Sequence, residues 1–270
     1  NKLSNFTLYH AEKNEGMMLN GLTALKLCKG DYIAICEGDD YWTDDLKLEQ
    51  QISLMLDNPN CTLTVHPCYF HKSETNKKSV GCYKGDDVLR FGSNDILKIP
   101  GQFAPTASYV IKRDVVDNLP PWYTKCPVGD FLIEMYSMKL GYGMYIPDIM
   151  CAYRIFSQKS WSDEMRKNDG LKMVSVGKSR EEYIKHMEAD SAFSQCDFTL
   201  VKSCILLSIA EGYLYCKNYK MFNKTITESY LAFHYSSKTQ KWLYKLRDNP
   251  RLALLLLKFR KYICTLFKYK

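Results

Sequence analysis

One stretch decides how this chain folds: Lys29-Gly-Asp-Tyr-Ile-Ala-Ile-Cys-Glu37-Gly-Asp39-Asp40-Tyr-Trp-Thr-Asp-Asp-Leu-Lys-Leu-Glu-Gln50. Its residues 32–36 form an apolar run between polar residues, which predicts a fully buried central strand. Its second half predicts a helix that Thr43 caps. The apolar stripe of this helix consists of Leu48, Ile52, Met55 and Leu56. A strand, an acidic turn and a helix in this order predict an α/β protein.

The flanking sequence continues this alternation of strands and helices. Met18, Leu22 and Leu25 recur at helical spacing, and Asp130 opens a second amphipathic segment. Further strands are predicted at residues 6–9, 61–71, 108–112, 144–146 and 150–154, with a hairpin tip at 72–78. Helical patterns dominate after Ser162. We therefore expect a mixed sheet flanked by helices in residues 1–162 and a helical C-terminal region in residues 163–270.

The acidic turn, residues 37–40, places Glu37, Asp39 and Asp40 directly after the predicted strand. Ligands of open α/β sheets bind beyond the carboxyl ends of the strands, so these carboxylates are placed for function. Three acids in four residues repel one another, and a hard divalent cation would neutralise them, because Mg²⁺ favours one or two carboxylates plus substrate phosphate oxygens. The alternative is an ordinary solvated turn, since Asp and Gly favour turns.

Charge and cysteine usage exclude several classes of protein. The net charge of +7 arises in residues 240–270, which hold nine Lys or Arg and one acid, so the remaining body carries −1. This distribution argues against a nucleic-acid groove, and no nucleic-acid partner is expected. The basic tail fits either an amphipathic segment on an anionic membrane or a terminal helix packed on the body. Eleven cysteines without a CxxC pair argue against a disulfide framework or a zinc site and indicate a reducing compartment.

The stretch from residue 29 to residue 50 resembles the central segment of family 2 glycosyltransferases. These enzymes have a GT-A fold and move a sugar from a nucleotide-sugar donor to an acceptor hydroxyl. The resemblance implies that Asp39 binds a metal ion, Mg²⁺ or Mn²⁺, together with the donor diphosphate. It also implies that Glu37 faces the ribose of the nucleotide and that Asp40 supports the donor site.

A second segment, Val128-Gly-Asp130-Phe-Leu-Ile-Glu134, is similar to the family's catalytic-base motif. The resemblance makes Asp130 the base. An acceptor hydroxyl is a weak nucleophile, and its proton must be taken as it attacks the anomeric carbon. The structural alternative for Asp130 is a helix cap, a position that Asp favours.

A third segment, Met150-Cys-Ala-Tyr-Arg154-Ile-Phe-Ser-Gln-Lys-Ser-Trp161-Ser162, is similar to a segment that closes over the donor in relatives. Arg154 and Trp161 are therefore candidate donor-binding residues, and an arginine can hold a phosphate through two hydrogen bonds. Packing at the end of the sheet explains the same two residues equally well. Phe156 stands where relatives often carry a histidine, so a third metal ligand is in doubt.

The resemblance covers about residues 5–162 and implies a metal-dependent, inverting, hexosyltransferase-like enzyme of surface polysaccharide synthesis. It implies a cytoplasmic enzyme, in one alternative peripheral at the inner face of the membrane, with a glycan or lipid-linked acceptor. Thr106 and Ser108 are candidates for acceptor contact. The family's nucleotide-binding start should precede Asn1, which predicts a fragment that retains the metal and acceptor halves of the site and whose activity alone is in doubt. The alternatives are a sugar-nucleotide nucleotidyltransferase and a non-catalytic carbohydrate-binding or assembly module with a degenerate site.

Overall fold

The computed structural model describes residues 7–72, 75–99, 101–155 and 169–268, with side chains as far as Arg260. It contains two compact units. The first comprises Asn1–His71, Asn76–Gly92 and Gln102–Arg154, and the second comprises Lys72–Thr75, Ser93–Gly101 and Ile155–Lys270.

The described helices are α1 (Met17–Leu27), α2 (Lys47–Asp57), α3 (Ser93–Leu97), α4 (Arg113–Asp117), α5 (Asp130–Leu140), α6 (Gly170–Glu188), α7 (Thr199–Tyr215), α8 (Tyr219–Ala232), α9 (Lys238–Lys245) and α10 (Pro250–Lys268). The strands are β1 (Tyr32–Ala34), β2 (Tyr41–Trp42), β3 (Cys61–Val65), β4 (Cys68–Lys72), β5 (Lys77–Gly81), β6 (Leu89–Phe91), β7 (Val110–Lys112), β8 (Tyr142–Tyr145) and β9 (Cys151–Arg154).

The first unit is built on two mixed sheets. A five-stranded sheet has the order β1-β7-β3-β8-β6, in which β3 and β8 run parallel and the other pairs run antiparallel. A four-stranded sheet has the order β2-β9-β4-β5, in which β4 and β9 run parallel. With α2, α4 and α5 packed on the strands, this arrangement confirms the predicted α/β class with a GT-A-like mixed sheet.

The core of the first unit surrounds β3, all of whose residues are buried. Helix α5 is buried over seven consecutive residues from Leu132 to Met138. Strand β8 carries Gly143 where the ring of Phe91 crosses it, and a Cβ at Gly143 would lie 2.1 Å from that ring. The absence of a side chain at this position therefore lets β6 and β8 pair with the Phe91 ring between them.

Two strand predictions at the start of the chain are wrong. The run at residues 32–36 forms only the three-residue β1, and only Ile33 of it is buried. In the part of the chain that the structure describes, β1 pairs with β7 alone and lies at the edge of its sheet. Residues 7–9 form no regular secondary structure. Apolar runs mark strands but do not show how many neighbours a strand will have.

Helix α2 buries only part of the predicted face: Met55 is buried and Ile52 packs beside it, but Leu48 and Leu56 are not buried. Lys47, Gln51 and Met55 are buried, whereas Leu48 and Leu56 are 40% and 61% exposed. Polar side chains can face the core here because they find hydrogen-bond partners there, as the site geometry shows below. The predicted cap is wrong as well. The helix begins at Lys47, and Thr43 instead donates its backbone N–H to the carbonyl of Met150.

The second unit is helical, which confirms the predicted helical C-terminal region from Gly170 onward. Helices α6 and α7 approach closely at two glycines, since a Cβ at Gly170 would lie 2.6 Å from the carbonyl oxygen of Gly212. Helices α7 and α8 are joined by a buried hydrogen bond, 2.8 Å long, from Ser229 Oγ to the carbonyl of Ser203. Across the described residues, no helix combines the length and the apolar character needed to span a membrane.

Candidate active site

The acidic turn lies where the chain leaves one sheet and enters the other. The backbone N–H of Ile35 donates to the carbonyl of Tyr109 (3.1 Å), which extends the pairing of β1 and β7 by one step. The N–H of Asp40 then donates to the carbonyl of Glu37 (3.0 Å) and closes a tight turn around Gly38 and Asp39. The next residues form β2 in the four-stranded sheet. This change of sheet displays the carboxylates at one corner of the first unit.

Asp40 is the buried acid of the turn, with 8% of its surface exposed. Its Oδ1 accepts the backbone N–H of Arg154 (2.9 Å), so β9 holds the turn in place. Its Oδ2 is buried and has no hydrogen-bond partner among the described residues. Burial raises the pKa of Asp40 to about 6, and the charge of Asp39 adds to this effect, while Arg154 opposes it. A buried carboxylate oxygen without a partner is costly and calls for a ligand.

Glu37 connects the turn to Asp130. Desolvation is the largest cause that raises the pKa of Glu37 to about 7, followed by the charges of Asp40, Asp130 and Asp39. The hydroxyl of Thr106 donates to the Glu37 carboxylate and opposes the rise. Glu37 nevertheless remains accessible to solvent. The structure thus brings Asp130 and Thr106, which are distant in the sequence, to the three acids of the turn.

Asp130 is half-buried and is the first residue of α5. Its Oδ1 accepts the N–H of the next residue, Phe131, at 2.6 Å. This position sets the carboxylate at the positive end of the helix, where unpaired N–H groups favour negative charge. The alternative role of Asp130 as a helix cap is wrong, because Gly129 occupies the N-cap position and Asp130 follows it. The role of Asp130 as a site acid remains a prediction.

A tyrosine that the sequence did not reveal lies beside these acids. Tyr123 is 5% exposed, and burial together with the charges of Asp130 and Glu37 raises its pKa. A Cβ at Gly129 would lie 2.6 Å from the Tyr123 hydroxyl and 2.9 Å from Cε of Met18. Gly129 is therefore required for α1, Tyr123 and the start of α5 to meet at the site.

Polar side chains of β2 and α2, the elements that follow the acidic turn, form a buried network. Trp42 donates its indole N–H to the carbonyl of Ala107 (3.0 Å), and the Lys47 ammonium lies 4.6 Å from the centre of the Trp42 ring. Lys47, only 1% exposed, donates to Gln51 Oε1 (2.6 Å), and Gln51 donates to the carbonyl of Ser108 (2.8 Å). Burial lowers the pKa of Lys47 to about 8.

The two residues proposed for the acceptor side behave differently. Thr106 is half-buried and bonded to Glu37. Ser108 is fully buried, and its hydroxyl donates to the carbonyl of Pro105 (2.7 Å), so the predicted acceptor contact of Ser108 is wrong. Its hydroxyl instead closes the turn that carries Thr106.

The third motif is placed only in part. The backbone of Arg154 bonds to Asp40, and its guanidinium carbon lies 5.0 Å from the centre of the Tyr41 ring. Its predicted contact with a donor phosphate remains a prediction. Trp161 and Phe156 lie outside the described residues.

The carboxylates fit a cation that is shared with a substrate. Among the described residues, no group of three His, Cys, Asp or Glu side chains could enclose a metal ion. The acidic turn nevertheless provides adjacent carboxylates and the partnerless Oδ2 of Asp40. Mg²⁺ commonly binds through one or two carboxylates and completes its shell with water and substrate phosphates. The residues are therefore suited to that kind of site.

Comparison with known proteins agrees with this arrangement. Residues 1–119 match the family model described as glycosyl transferase family 2. Over this segment the chain is similar to that family. The match includes the acidic turn and Thr106 but ends before Asp130, so the place of Asp130 in the site rests on the geometry above.

The similar curated proteins are mycobacterial and are described as uncharacterized. One is from Mycobacterium bovis and two are from strains of Mycobacterium tuberculosis. Each is 43% identical to this chain over 154 residues, which is 56% of this chain and 42% of the relative. This chain therefore spans less than half the length of the curated relatives that it matches.

Proposed function

We propose that this chain transfers a sugar, with inversion, from a nucleoside diphosphate sugar to a hydroxyl of a glycan or lipid-linked acceptor, in surface polysaccharide or other glycan synthesis. The observation that carries the proposal is the approach of Asp130 to the acidic turn of a family 2 glycosyltransferase segment. An enzyme of this kind needs a donor half and an acceptor half that lie side by side, so that the acceptor oxygen can reach the anomeric carbon of the donor. The acidic turn and Asp130 supply these two halves.

The donor half of the site is the acidic turn. Asp39, supported by Asp40, would hold a divalent cation, Mg²⁺ or Mn²⁺, which supplies positive charge to the departing nucleoside diphosphate. Glu37 is the acid of the turn whose pKa the charge of Asp130 raises, and its carboxylate accepts a hydrogen bond from Thr106. The backbone N–H of Arg154 donates to Asp40, which places the Arg154 side chain beside the donor half.

The acceptor half of the site is the start of α5. In the proposed reaction the acceptor oxygen attacks the anomeric carbon and forms the new glycosidic bond, while the bond from that carbon to the diphosphate oxygen breaks. The Asp130 carboxylate receives the hydroxyl proton during the attack. One carboxylate on the acceptor side is sufficient for an inverting displacement. The packing of Tyr123 and Gly129 fixes the backbone from which Asp130 projects.

The test uses the full chain with a panel of nucleoside diphosphate sugars and Mn²⁺, and follows donor consumption and product mass. Asp130→Asn should lower kcat by about 10²-fold or more, the scale of general base catalysis. The stabilisation of the fold by nucleoside diphosphate and Mn²⁺ should persist in this variant. Asp40→Asn should lose that stabilisation instead. Asp117→Asn, an exposed acid at the end of α4, is the matched control and should retain both properties.

Three results would contradict the proposal. Full transfer by Asp130→Asn would remove Asp130 as the base. Release of pyrophosphate from a nucleoside triphosphate and a sugar phosphate would indicate nucleotidyl transfer. Binding of glycans by a chain that consumes no donor would indicate a non-catalytic module.

A further inference from the structure

The C-terminal helix α10 has two apolar faces, and only one of them packs on the protein. Ala253, Leu254 and Leu257 are buried, with 0%, 8% and 0% of their surfaces exposed. Helix α10 contacts α7 and α8 of the second unit. This face packs α10 on the second unit.

The opposite face is an exposed stripe of large apolar side chains. It consists of Leu252, Leu255, Leu256 and Phe259, which are 38%, 64%, 40% and 59% exposed. At about 100° per residue, these four positions span an arc of about 100° on the side of the helix away from the buried face. Single exposed apolar residues are normal in soluble proteins, but a continuous stripe indicates an interaction surface.

Cations border the exposed stripe on both sides. Arg251 and Lys258 lie along one edge of it by helical position, and both are exposed. Arg260 lies along the other edge, where it is exposed and donates to the hydroxyl of Thr239. The bordering side chains are thus positively charged, within the segment 240–270 that carries nine Lys or Arg and one acid.

This pattern selects one kind of partner. Apolar side chains between two cationic edges match an anionic lipid surface, where the stripe enters the acyl boundary and the cations meet the headgroups. A partner protein would need an apolar groove with acidic rims on both sides.

We propose that α10 lies on an anionic membrane surface, parallel to it, with Leu252, Leu255, Leu256 and Phe259 inserted. The inference deepens the proposed function, because it would hold the enzyme where a lipid-linked acceptor is found. Membrane binding itself requires no sugar transfer, so the two proposals can be tested separately.

The test is co-sedimentation of the full chain with vesicles of phosphatidylcholine alone and of phosphatidylcholine with about one third phosphatidylglycerol. The wild-type chain should bind the anionic vesicles and bind the neutral ones weakly. Leu255→Ser with Phe259→Ser should weaken binding by about tenfold or more, because two half-exposed apolar side chains lose their burial in lipid. Arg251→Gln with Lys258→Gln should weaken it by about tenfold, and this loss should shrink at high salt.

Leu231→Ser is the matched control, since Leu231 on α8 is 66% exposed and lies outside the stripe. All the substituted side chains are exposed, so circular dichroism and thermal unfolding should remain those of the wild-type chain. Equal binding by the stripe variant would overturn the proposal. So would a wild-type dimer that ignores vesicles and dissociates in that variant, since it would make the stripe a contact between two copies. Vesicle binding without sugar transfer would refute only the proposed function, and transfer to a soluble acceptor without vesicle binding would refute only this inference.

Discussion

Replacing Lys47 with methionine tests whether the Lys47 ammonium is desolvated in the fold. Lys47 is 1% exposed, donates to Gln51 and lies against the Trp42 ring. Burial lowers its pKa from 10.5 to about 8. The unfolded chain therefore binds this proton more tightly than the folded chain does. Between the two pKa values the folded chain has released this proton while the unfolded chain still holds it. As pH rises, holding the proton stabilises the unfolded chain less, so the fold becomes more stable.

The size of the effect follows from these two pKa values. The protonated lysine costs the fold about 3 kcal/mol at neutral pH, and about 2 kcal/mol of this cost disappears between about pH 7 and about pH 9.5. Methionine has a similar length and cannot take up a proton. The free energy of unfolding of the wild-type chain should therefore increase by about 2 kcal/mol relative to that of Lys47→Met over this interval.

Urea unfolding followed by circular dichroism at both pH values measures this difference. Subtracting the variant removes the contributions of cysteines and tyrosines that titrate in the same range. Lys98→Met is the control, because the Lys98 side chain is 73% exposed and its ion pair with Asp95 lies at the surface. Its difference from the wild-type chain should not change with pH. A difference for Lys47→Met that is equally independent of pH would refute the idea that Lys47 is desolvated in the fold.

Two further substitutions test the core around the site. Glu134 is buried, its pKa is raised by burial and by Asp130, and its Oε1 accepts from the Tyr109 hydroxyl and the N–H of Ala104. The fold keeps a proton that the unfolded chain releases, so the stability of the wild-type chain should fall as pH rises above about 4.5. Glu134→Gln should therefore unfold at a higher urea concentration than the wild-type chain, and this difference should widen with pH. A difference that does not change with pH would show that Glu134 is ionised in the fold. Gly143→Ala should cost about 1–3 kcal/mol in urea unfolding, because its Cβ would meet the Phe91 ring at 2.1 Å. Phe91→Leu in the same chain should recover part of this loss, and simple additivity of the two changes would contradict the contact.

The sequence predicted those features that depend on neighbouring residues. Helix α1 follows from the spacing of Met18, Leu22 and Leu25, and α5 begins at Asp130 as its chemistry suggests. The acidic turn was recognisable because its acids follow an apolar run and precede a helix within one short stretch. Mixed sheets with a helical C-terminal region follow from the order of these patterns.

Features that depend on distant partners were not predictable in this way. Leu48 and Leu56 have the right chemistry for the core, but α2 turns Lys47 and Gln51 inward. This orientation is possible because Gln51 meets the carbonyl of Ser108, a residue 57 positions away. The sequence overestimates the burial of β1 for the same reason. The number of strands that pair with β1 depends on the order of the whole sheet, which residues 32–36 do not reveal.

Site residues in irregular segments were the hardest to foresee. Tyr123 belongs to a short 3₁₀ turn and carries no periodic signal. The one clue in the sequence is Gly129, because a glycine at the start of a helix suggests that another side chain packs closely against the backbone there. Thr106 was considered for the acceptor, whereas the structure bonds it to Glu37.

The hydrogen bonds around the acidic turn hold its shape without cancelling its charge. Asp40 is fixed by backbone N–H groups, its own to Glu37 and that of Arg154 to its Oδ1. The buried ammonium of Lys47 donates to the neutral amide of Gln51. Arg154 offsets only part of the effect of burial on Asp40, whose pKa is still raised, so an acidic turn held in this shape gains stability when it binds positive charge. This arrangement is the reason to expect that a divalent cation and a nucleoside diphosphate bind together there, each supplying what the other lacks.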